Sequence, residues 1–242
     1  MVLKRWGREV LELLFPRQCC GCGQRLASGE QLVCMECQCC LPLETLRDWE
    51  FNRHKVALGT HPALFRVGAL TRYDRTNISA ELVRSLKFRR RHELGNWMGR
   101  VAAELLGDTG LFEGVDMLVP IPLTARRLHS RGFNQAEKIA DGLSAALGIP
   151  VRVDVLQRLR YQESQTHFLR AQRHDNVQGI FRRLTDEGLA GRHVMIVDDV
   201  ITTGSTMHAA IEALESVPGI RLSVFAWAWV PIPPSKFFMP ES

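Results

Sequence analysis

Two neighbouring carboxylates, Asp198 and Asp199, precede a short loop of hydroxyl residues around one glycine. Consecutive backbone N–H groups in such a loop can surround a phosphate, and a glycine lets the backbone approach the anion closely. Carboxylates accept hydrogen bonds from vicinal hydroxyls such as those of a ribose. The block therefore predicts a site for a ribose 5-phosphate. The predicted phosphate loop consists of Thr202, Thr203, Gly204, Ser205 and Thr206.

The residues on either side of this block predict how it is positioned. Four apolar residues, 194–197, run into the carboxylates as a buried strand would, and apolar residues at helical spacing resume after the loop. Open α/β sheets bind ligands at the carboxyl ends of their strands, and a helix N-terminus favours phosphate. The block lacks both a Gly-Lys-Ser/Thr P-loop and a G-x-G-x-x-G fingerprint. The alternative is a buried strand with a solvated Asp-Asp turn and an ordinary capped helix.

All seven cysteines fall between positions 19 and 40. Two C-x-x-C pairs, Cys19 with Cys22 and Cys34 with Cys37, match a tetrahedral structural zinc site. So short a segment cannot form a hydrophobic core, and a bound metal would stabilise it instead. Disulfides, a redox thiol set and an iron–sulfur cluster are the other interpretations. The register stays open, because further candidate ligands are Cys20, Cys39 and Cys40.

Composition favours one α/β domain with a small appendage. The chain has 242 residues, of which 45% are hydrophobic, and a net charge of +5 that suits a polyphosphate or a nucleic acid. Residues 1–15 read as an amphipathic helix without a signal-peptide core, and no apolar run is long enough to span a bilayer. We therefore expect no membrane insertion and a cytoplasmic location.

Basic residues outside the block predict contacts with anions. Arg126, Arg127 and Arg131 lie beside a glycine and could form an anion clamp, although surface salt bridges are the alternative. A second basic run, 87–92, ends a predicted helix and could equally be an ordinary helix end exposed to solvent.

The order of the predicted elements indicates the fold class. Strands that alternate with helices along the chain predict a mainly parallel sheet flanked by helices.

Together these motifs resemble the ComF/GntX family, a group with a type I phosphoribosyltransferase-like fold and an N-terminal zinc-knuckle segment. The resemblance covers nearly the whole chain. It rests on the paired C-x-x-C motifs, the block around Asp198, and further residues that match the family pattern. These are Tyr73, Leu86-Lys87-Phe88, residues 119–123, Arg131-Gly132-Phe133-Asn134-Gln135, Gln165, Arg173, Asn176 and Phe181.

The resemblance implies a division of the chain and a set of roles. Residues 1–42 would form the amphipathic helix and zinc segment, 43–62 a linker, and 63–242 the phosphoribosyltransferase-like domain, with a hood at about 63–95. Phosphoribosyl pyrophosphate (PRPP) would bind with Mg²⁺ at 202–206, with Asp198 and Asp199 on the ribose hydroxyls. Arg127 or Arg131 would neutralise the departing pyrophosphate, and 119–122 would lie near it.

Members of this family are associated with DNA uptake and use in competent bacteria, so competence proteins are expected partners. The acceptor base is left open, although Lys87 and Phe88 of the hood could contact it. The alternative function is a non-catalytic module that binds nucleotide or single-stranded DNA through phosphate contacts. Its binding face would combine the zinc knuckle with Arg90, Arg91 and Arg173.

Overall fold

The structure is a computed structural model that describes residues 16–44, 53–88, 91–159 and 179–231. Several sequence predictions concern residues outside these ranges. They are the N-terminal amphipathic helix, Arg90 of the basic run, and the family positions Gln165, Arg173 and Asn176.

A four-stranded parallel sheet forms the centre of the molecule. The strands are β1 (Leu64–Arg72), β2 (Met117–Pro120), β5 (His193–Ile201) and β6 (Arg221–Trp229), in the spatial order β1-β6-β5-β2. The two remaining described strands, β3 (Leu156–Arg158) and β4 (Phe181–Arg183), pair antiparallel as a separate ribbon. The mainly parallel sheet predicted from the alternating elements is therefore confirmed.

Seven helices surround or precede the sheet within the described residues. They are α1 (Met35–Cys39), α2 (Arg53–Ala57), α3 (Ile78–Phe88), α4 (His92–Leu106), α5 (Ala125–Arg131), α6 (Gln135–Leu147) and α7 (Ser205–Leu214). A single 3-10 turn, Gly107–Thr109, follows α4. Helix α2 lies within the stretch 43–62 that the sequence marks as a linker, and the adjacent Leu58 is fully buried.

Both faces of the sheet are covered, which explains the unbroken apolar run in β5. Met195 and Val197 belong to one hydrophobic cluster, whereas Val194 and Ile196 belong to another on the opposite side. Successive strand residues point to opposite faces, so a strand buried on both sides must be apolar at every position. The core therefore fixes β5 firmly, and the carboxyl end of β5 carries the acidic pair.

Helices α4 and α6 approach so closely that only glycine fits between them. A β-carbon on Gly99 would lie 2.1 Å from the carbonyl oxygen of Ile139, and one on Gly142 would lie 2.2 Å from that of Asn96. This contact fixes the position of α6 relative to α4. Helix α6 begins at Gln135, the last residue of the Arg-Gly-Phe-Asn-Gln segment that borders the site.

Candidate functional site

Asp198 and Asp199 lie near the C-terminal end of strand β5, which ends at Ile201. Asp199 is almost buried, with 8% of its surface exposed, and Asp198 is half-buried. The Asp199 N–H donates to Asp198 Oδ1 at 2.8 Å, so the backbone itself orients the first carboxylate. The second carboxylate is oriented from another element, because Lys87 Nζ of α3 lies 3.0 Å from Asp199 Oδ2.

The predicted phosphate loop forms a cradle immediately after the acidic pair. Thr202, Thr203 and Ser205 are exposed, while Gly204 is buried with a φ of 82°, a left-handed conformation that favours glycine. Helix α7 begins at Ser205, so its N-terminus faces the cradle. An open space of about 200 Å³ is lined by Asp198 and residues 200–207. Backbone donors and a helix N-terminus around such a space suit a phosphate.

Packing beneath the loop holds the cradle in place. A β-carbon on Gly204 would lie 2.9 Å from Leu58 Cδ2, so the loop backbone rests directly on this side chain. His208 of α7 lies 3.0 Å, Nδ1 to Nε2, from His61, and the other ring nitrogen of His61 lies 3.0 Å from Glu215 Oε2. His61, in the segment before β1, thus contacts α7 near its beginning and the residue that directly follows it.

A second space, the cationic crevice, adjoins the cradle. Four basic side chains line it, and they come from α3, α5 and β3. Asp198, Val200 and Thr206 line both the cradle and the crevice, so the two spaces meet at the acidic pair. The crevice encloses about 560 Å³ open to solvent. The basic residues are Lys87, Arg127, Arg131 and Arg158.

The Arg-Gly-Phe-Asn-Gln segment positions the clamp predicted from the sequence. Helix α5 ends at Arg131 because Gly132 turns the chain with a φ of 82°. The Arg131 Nη1 donates to Gln135 Oε1 at 2.6 Å, and Asn134 Nδ2 donates to the carbonyl of Ile121 at 3.0 Å. Asn134 also caps α6. The first bond orients Arg131, and the second holds the neighbouring Asn134 against the residue that follows β2. Arg127 lines the crevice with Arg131, whereas Arg126 is not among the residues that line it.

Charges in the crevice change how its groups ionise. Loss of water contact and the charge of Asp199 raise the pKa of Asp198 to about 7, although Lys87 and Arg158 act in the opposite direction. Burial and the neighbouring Arg127 lower the pKa of Arg158 from its ordinary value. The Asp198 carboxyl is therefore poorly solvated and lies among charges of both signs, and weak solvation strengthens its interactions with charged groups.

Arg158 is a site residue that the sequence reasoning missed. It precedes the undescribed residues 160–178, its guanidinium lies 5.3 Å from the centre of the Phe181 ring, and it faces Asp198 and Arg127. The only sequence signal was its place near the end of a short strand-like stretch. Arg91, proposed together with the zinc knuckle for a nucleic-acid face, donates to Gln18 O and to Cys20 Sγ of the cysteine segment.

The cysteine segment brings four thiols together at a separate position. The Sγ atoms of Cys19, Cys22, Cys34 and Cys37 all lie within 4.8 Å of one another. Cys39 and Cys40 are exposed and outside this group. The paired register Cys19/Cys22 with Cys34/Cys37 is therefore the one that can form a tetrahedral site, and four sulfur donors fit zinc.

Backbone groups favour the thiolate form of one ligand. Burial opposes ionisation of Cys19, but N–H groups of Cys34, Cys22 and Gly21 outweigh it and lower the pKa of the thiol to about 7. Burial raises the pKa of Cys37 above its ordinary value. A metal needs deprotonated thiols, so a cation at the centre would offset this cost. Cys20 is buried but lies outside the cluster.

Comparison with known proteins gives a consistent picture. Residues 96–225, more than half of the chain, match the phosphoribosyl transferase domain family. The DNA utilization protein YhgH of Escherichia coli K12 is 39% identical over 131 residues, which cover 52% of this chain and 56% of that protein. Competence protein F of Haemophilus influenzae is 29% identical over 140 residues, which cover 54% and 61%. The match thus spans little more than half the length of these curated relatives.

Among solved structures, an adenine phosphoribosyltransferase is 19% identical, with a TM-score of 0.38 over 60% of this chain and 75% of that one. The chain belongs to the phosphoribosyltransferase domain family, because the match covers more than half of it and includes β2, β5 and the acidic pair. Within that class it is a member of the ComF family, since its relatives and its N-terminal group of four cysteines agree with that assignment. Within the described ranges, no helix combines the length and apolar character needed to cross a bilayer.

Proposed function

We propose that this protein binds PRPP, or a related ribose 5-phosphate compound, across the cradle and the cationic crevice. One observation carries the proposal: the two spaces share Asp198, Val200 and Thr206. A ligand whose phosphate occupies the cradle therefore reaches the acidic pair with its sugar. Substituents further along the ligand then enter a space lined by Lys87 and three arginines.

The proposed reaction is phosphoribosyl transfer, in which pyrophosphate leaves C1 of the ribose and an acceptor takes its place. Positive charge develops on the sugar and negative charge on the departing group. Asp198 and Asp199 would accept hydrogen bonds from the ribose hydroxyls. Arg127, Arg131 and Arg158 would stabilise the leaving charge electrostatically, because arginine pairs well with phosphate oxygens. Mg²⁺, when bound with the ligand, supplies further neutralising charge.

We place this activity in the uptake or use of DNA in the cytoplasm. The names of the relatives, a DNA utilization protein and a competence protein, motivate this assignment. The four-thiol cluster is compatible with a reducing compartment, where structural cysteines hold zinc in preference to disulfides.

Calorimetry with PRPP and Mg²⁺ tests the binding proposal. Asp199→Asn keeps the shape of the side chain but removes a charged acceptor and the partner of Lys87. Because a charge-assisted hydrogen bond is worth roughly 1.5–3 kcal/mol, affinity should fall about tenfold to a hundredfold. Asp141→Asn is the matched control, since that carboxylate pairs with Lys138 on α6, away from the crevice. Equal loss in both variants, or no PRPP binding by the wild type, would refute the proposal.

A second candidate is a non-catalytic module that binds nucleotide or single-stranded DNA at the same crevice. Phe88 favours it, because this ring is 74% exposed and directly follows Lys87 in the chain, next to the residues that line the crevice but not among them. An exposed aromatic ring beside basic side chains is a platform on which bases stack. Pyrophosphate release from PRPP with a panel of bases separates the candidates. Turnover supports the transferase, whereas salt-sensitive DNA binding without turnover supports the module.

A further inference from the structure

The backbone of the cysteine segment packs along helix α3. Ser85 Oγ donates to the carbonyl of Cys20 at 2.7 Å, and this bond is buried. Gly21 sits directly against Ile78, since a β-carbon on Gly21 would lie 2.5 Å from Ile78 Cδ1. Beyond the end of α3, Arg91 Nη1 donates to the carbonyl of Gln18 at 3.0 Å. The segment therefore holds α3 at its start, in its last turn and just past its end.

The last turn of α3 also carries Lys87, whose side chain reaches the candidate site. Lys87 stands two residues after Ser85, so the two side chains point to widely separated sides of the helix. Ser85 is buried toward the cysteine segment, while Lys87 reaches the acidic pair, with Nζ 3.0 Å from Asp199 Oδ2. Lys87 is only 23% exposed, and it also lines the cationic crevice. The position of its ammonium group thus depends on where the last turn of α3 is held.

We propose that the cysteine segment is a brace for the ligand site: it holds α3 so that Lys87 neutralises Asp199. This inference rests on the proposed binding of PRPP. Lys87 orients the Asp199 carboxylate that accepts from the ribose and adds positive charge beside a polyanionic ligand, so an intact brace raises the affinity for that ligand. Ser85 is then a positioning residue. The four thiols act on the site indirectly, by fixing the backbone at 18–21 that Ser85 and Arg91 contact.

The chain supplies a matched pair of variants for the test. Ser85→Ala removes the bond to the cysteine segment. Ser79→Ala, in the same helix, removes an equally buried hydroxyl whose bond goes to Thr71 of β1, at 2.6 Å. We expect Ser85→Ala to weaken PRPP binding roughly fivefold, as loss of one buried hydrogen bond allows, and Ser79→Ala to change it less than about twofold. Bound zinc is measured in each variant, so that loss of metal is recognised.

A double-mutant cycle identifies the route of the effect. Lys87→Met keeps the length of the side chain and removes its charge, and should itself weaken PRPP binding. If the brace acts through Lys87, Ser85→Ala has no further effect in the Lys87→Met background. Equal effects of Ser85→Ala and Ser79→Ala, a persistent effect without Lys87, or tighter binding by Ser85→Ala would each overturn the inference.

Amide hydrogen exchange separates failure of the brace from failure of the proposed function. If the wild type binds no PRPP, the proposed function fails, and exchange across residues 85–88 then judges the brace alone. Ser85→Ala must accelerate exchange in this last turn of α3 more than Ser79→Ala does. Thiol-directed removal of zinc from the folded wild type should have the same effect in the same turn. Unchanged exchange in both experiments would refute the brace independently of any ligand.

Discussion

Asp198→Asn should stabilise the protein, and the gain should grow with pH. The carboxyl has an ordinary pKa of 3.8 that the fold raises to about 7, first because of its loss of water contact and then because of Asp199. The folded protein therefore binds the proton more tightly than the unfolded chain does. The stabilisation that this tighter proton binding gives the folded state is fully present at acidic pH and is lost as the pH rises from about 4 to about 7. Above that range the folded state holds a disfavoured charge.

The size of the effect follows from these values. Each pH unit within the window costs the wild type about 1.4 kcal/mol of unfolding free energy, so from about pH 5.5 to about pH 7 the loss is on the order of 2 kcal/mol. Asparagine does not titrate in this range and its Oδ1 can still accept the N–H of Asp199. The free-energy gap between variant and wild type should therefore widen over this interval and level off by about pH 8.

Urea denaturation at several pH values measures the gap, with zinc retained throughout. Asp154→Asn is the control, because Arg152 lowers the pKa of Asp154 and its carboxylate stays ionised in both states over this range. The gap for that variant should be constant. A constant or narrowing gap for Asp198→Asn would show that the carboxyl is not held in the poorly solvated, like-charged environment described for the crevice.

Gly99→Ala should destabilise the fold by about 3 kcal/mol or more, because the new methyl group would lie 2.1 Å from the carbonyl oxygen of Ile139; a denaturation midpoint equal to that of the wild type would refute this packing. Cys22→Ser should lose zinc by elemental analysis, whereas Cys20→Ser should keep about one equivalent, and the reverse result would reassign the ligands. Gly204→Val should abolish measurable PRPP binding, because φ is 82° and the side chain would meet packed atoms beneath the loop. Single-stranded DNA should bind weakly and with no sequence preference, and log affinity should decline linearly with log salt in anisotropy measurements; salt-independent binding would contradict the electrostatic account.

Features that lie close together in the chain were predictable. The apolar run, the acidic pair and the loop 202–206 follow one another, so their order alone predicts a strand, a loop and a helix. The described structure has this order, and phosphate binding by the loop stays a prediction. The paired C-x-x-C spacing likewise predicted the four thiols that the fold gathers. The roles assigned to Asp198, Asp199 and Arg131 stay predictions, since they depend on a ligand.

Tertiary structure decided what no local pattern encodes. Lys87 and Arg158 reach the acidic pair from elements distant in sequence, and only the packing of α3 and β3 determines that approach. The pKa of Asp198 depends on how much water the surrounding chain removes, a three-dimensional property. The register of the thiols was fixed in the same way, since Cys37 is buried among its partners while Cys40 is exposed. Sequence order thus determined the parts of the site, whereas long-range packing determined which charges meet and how they ionise.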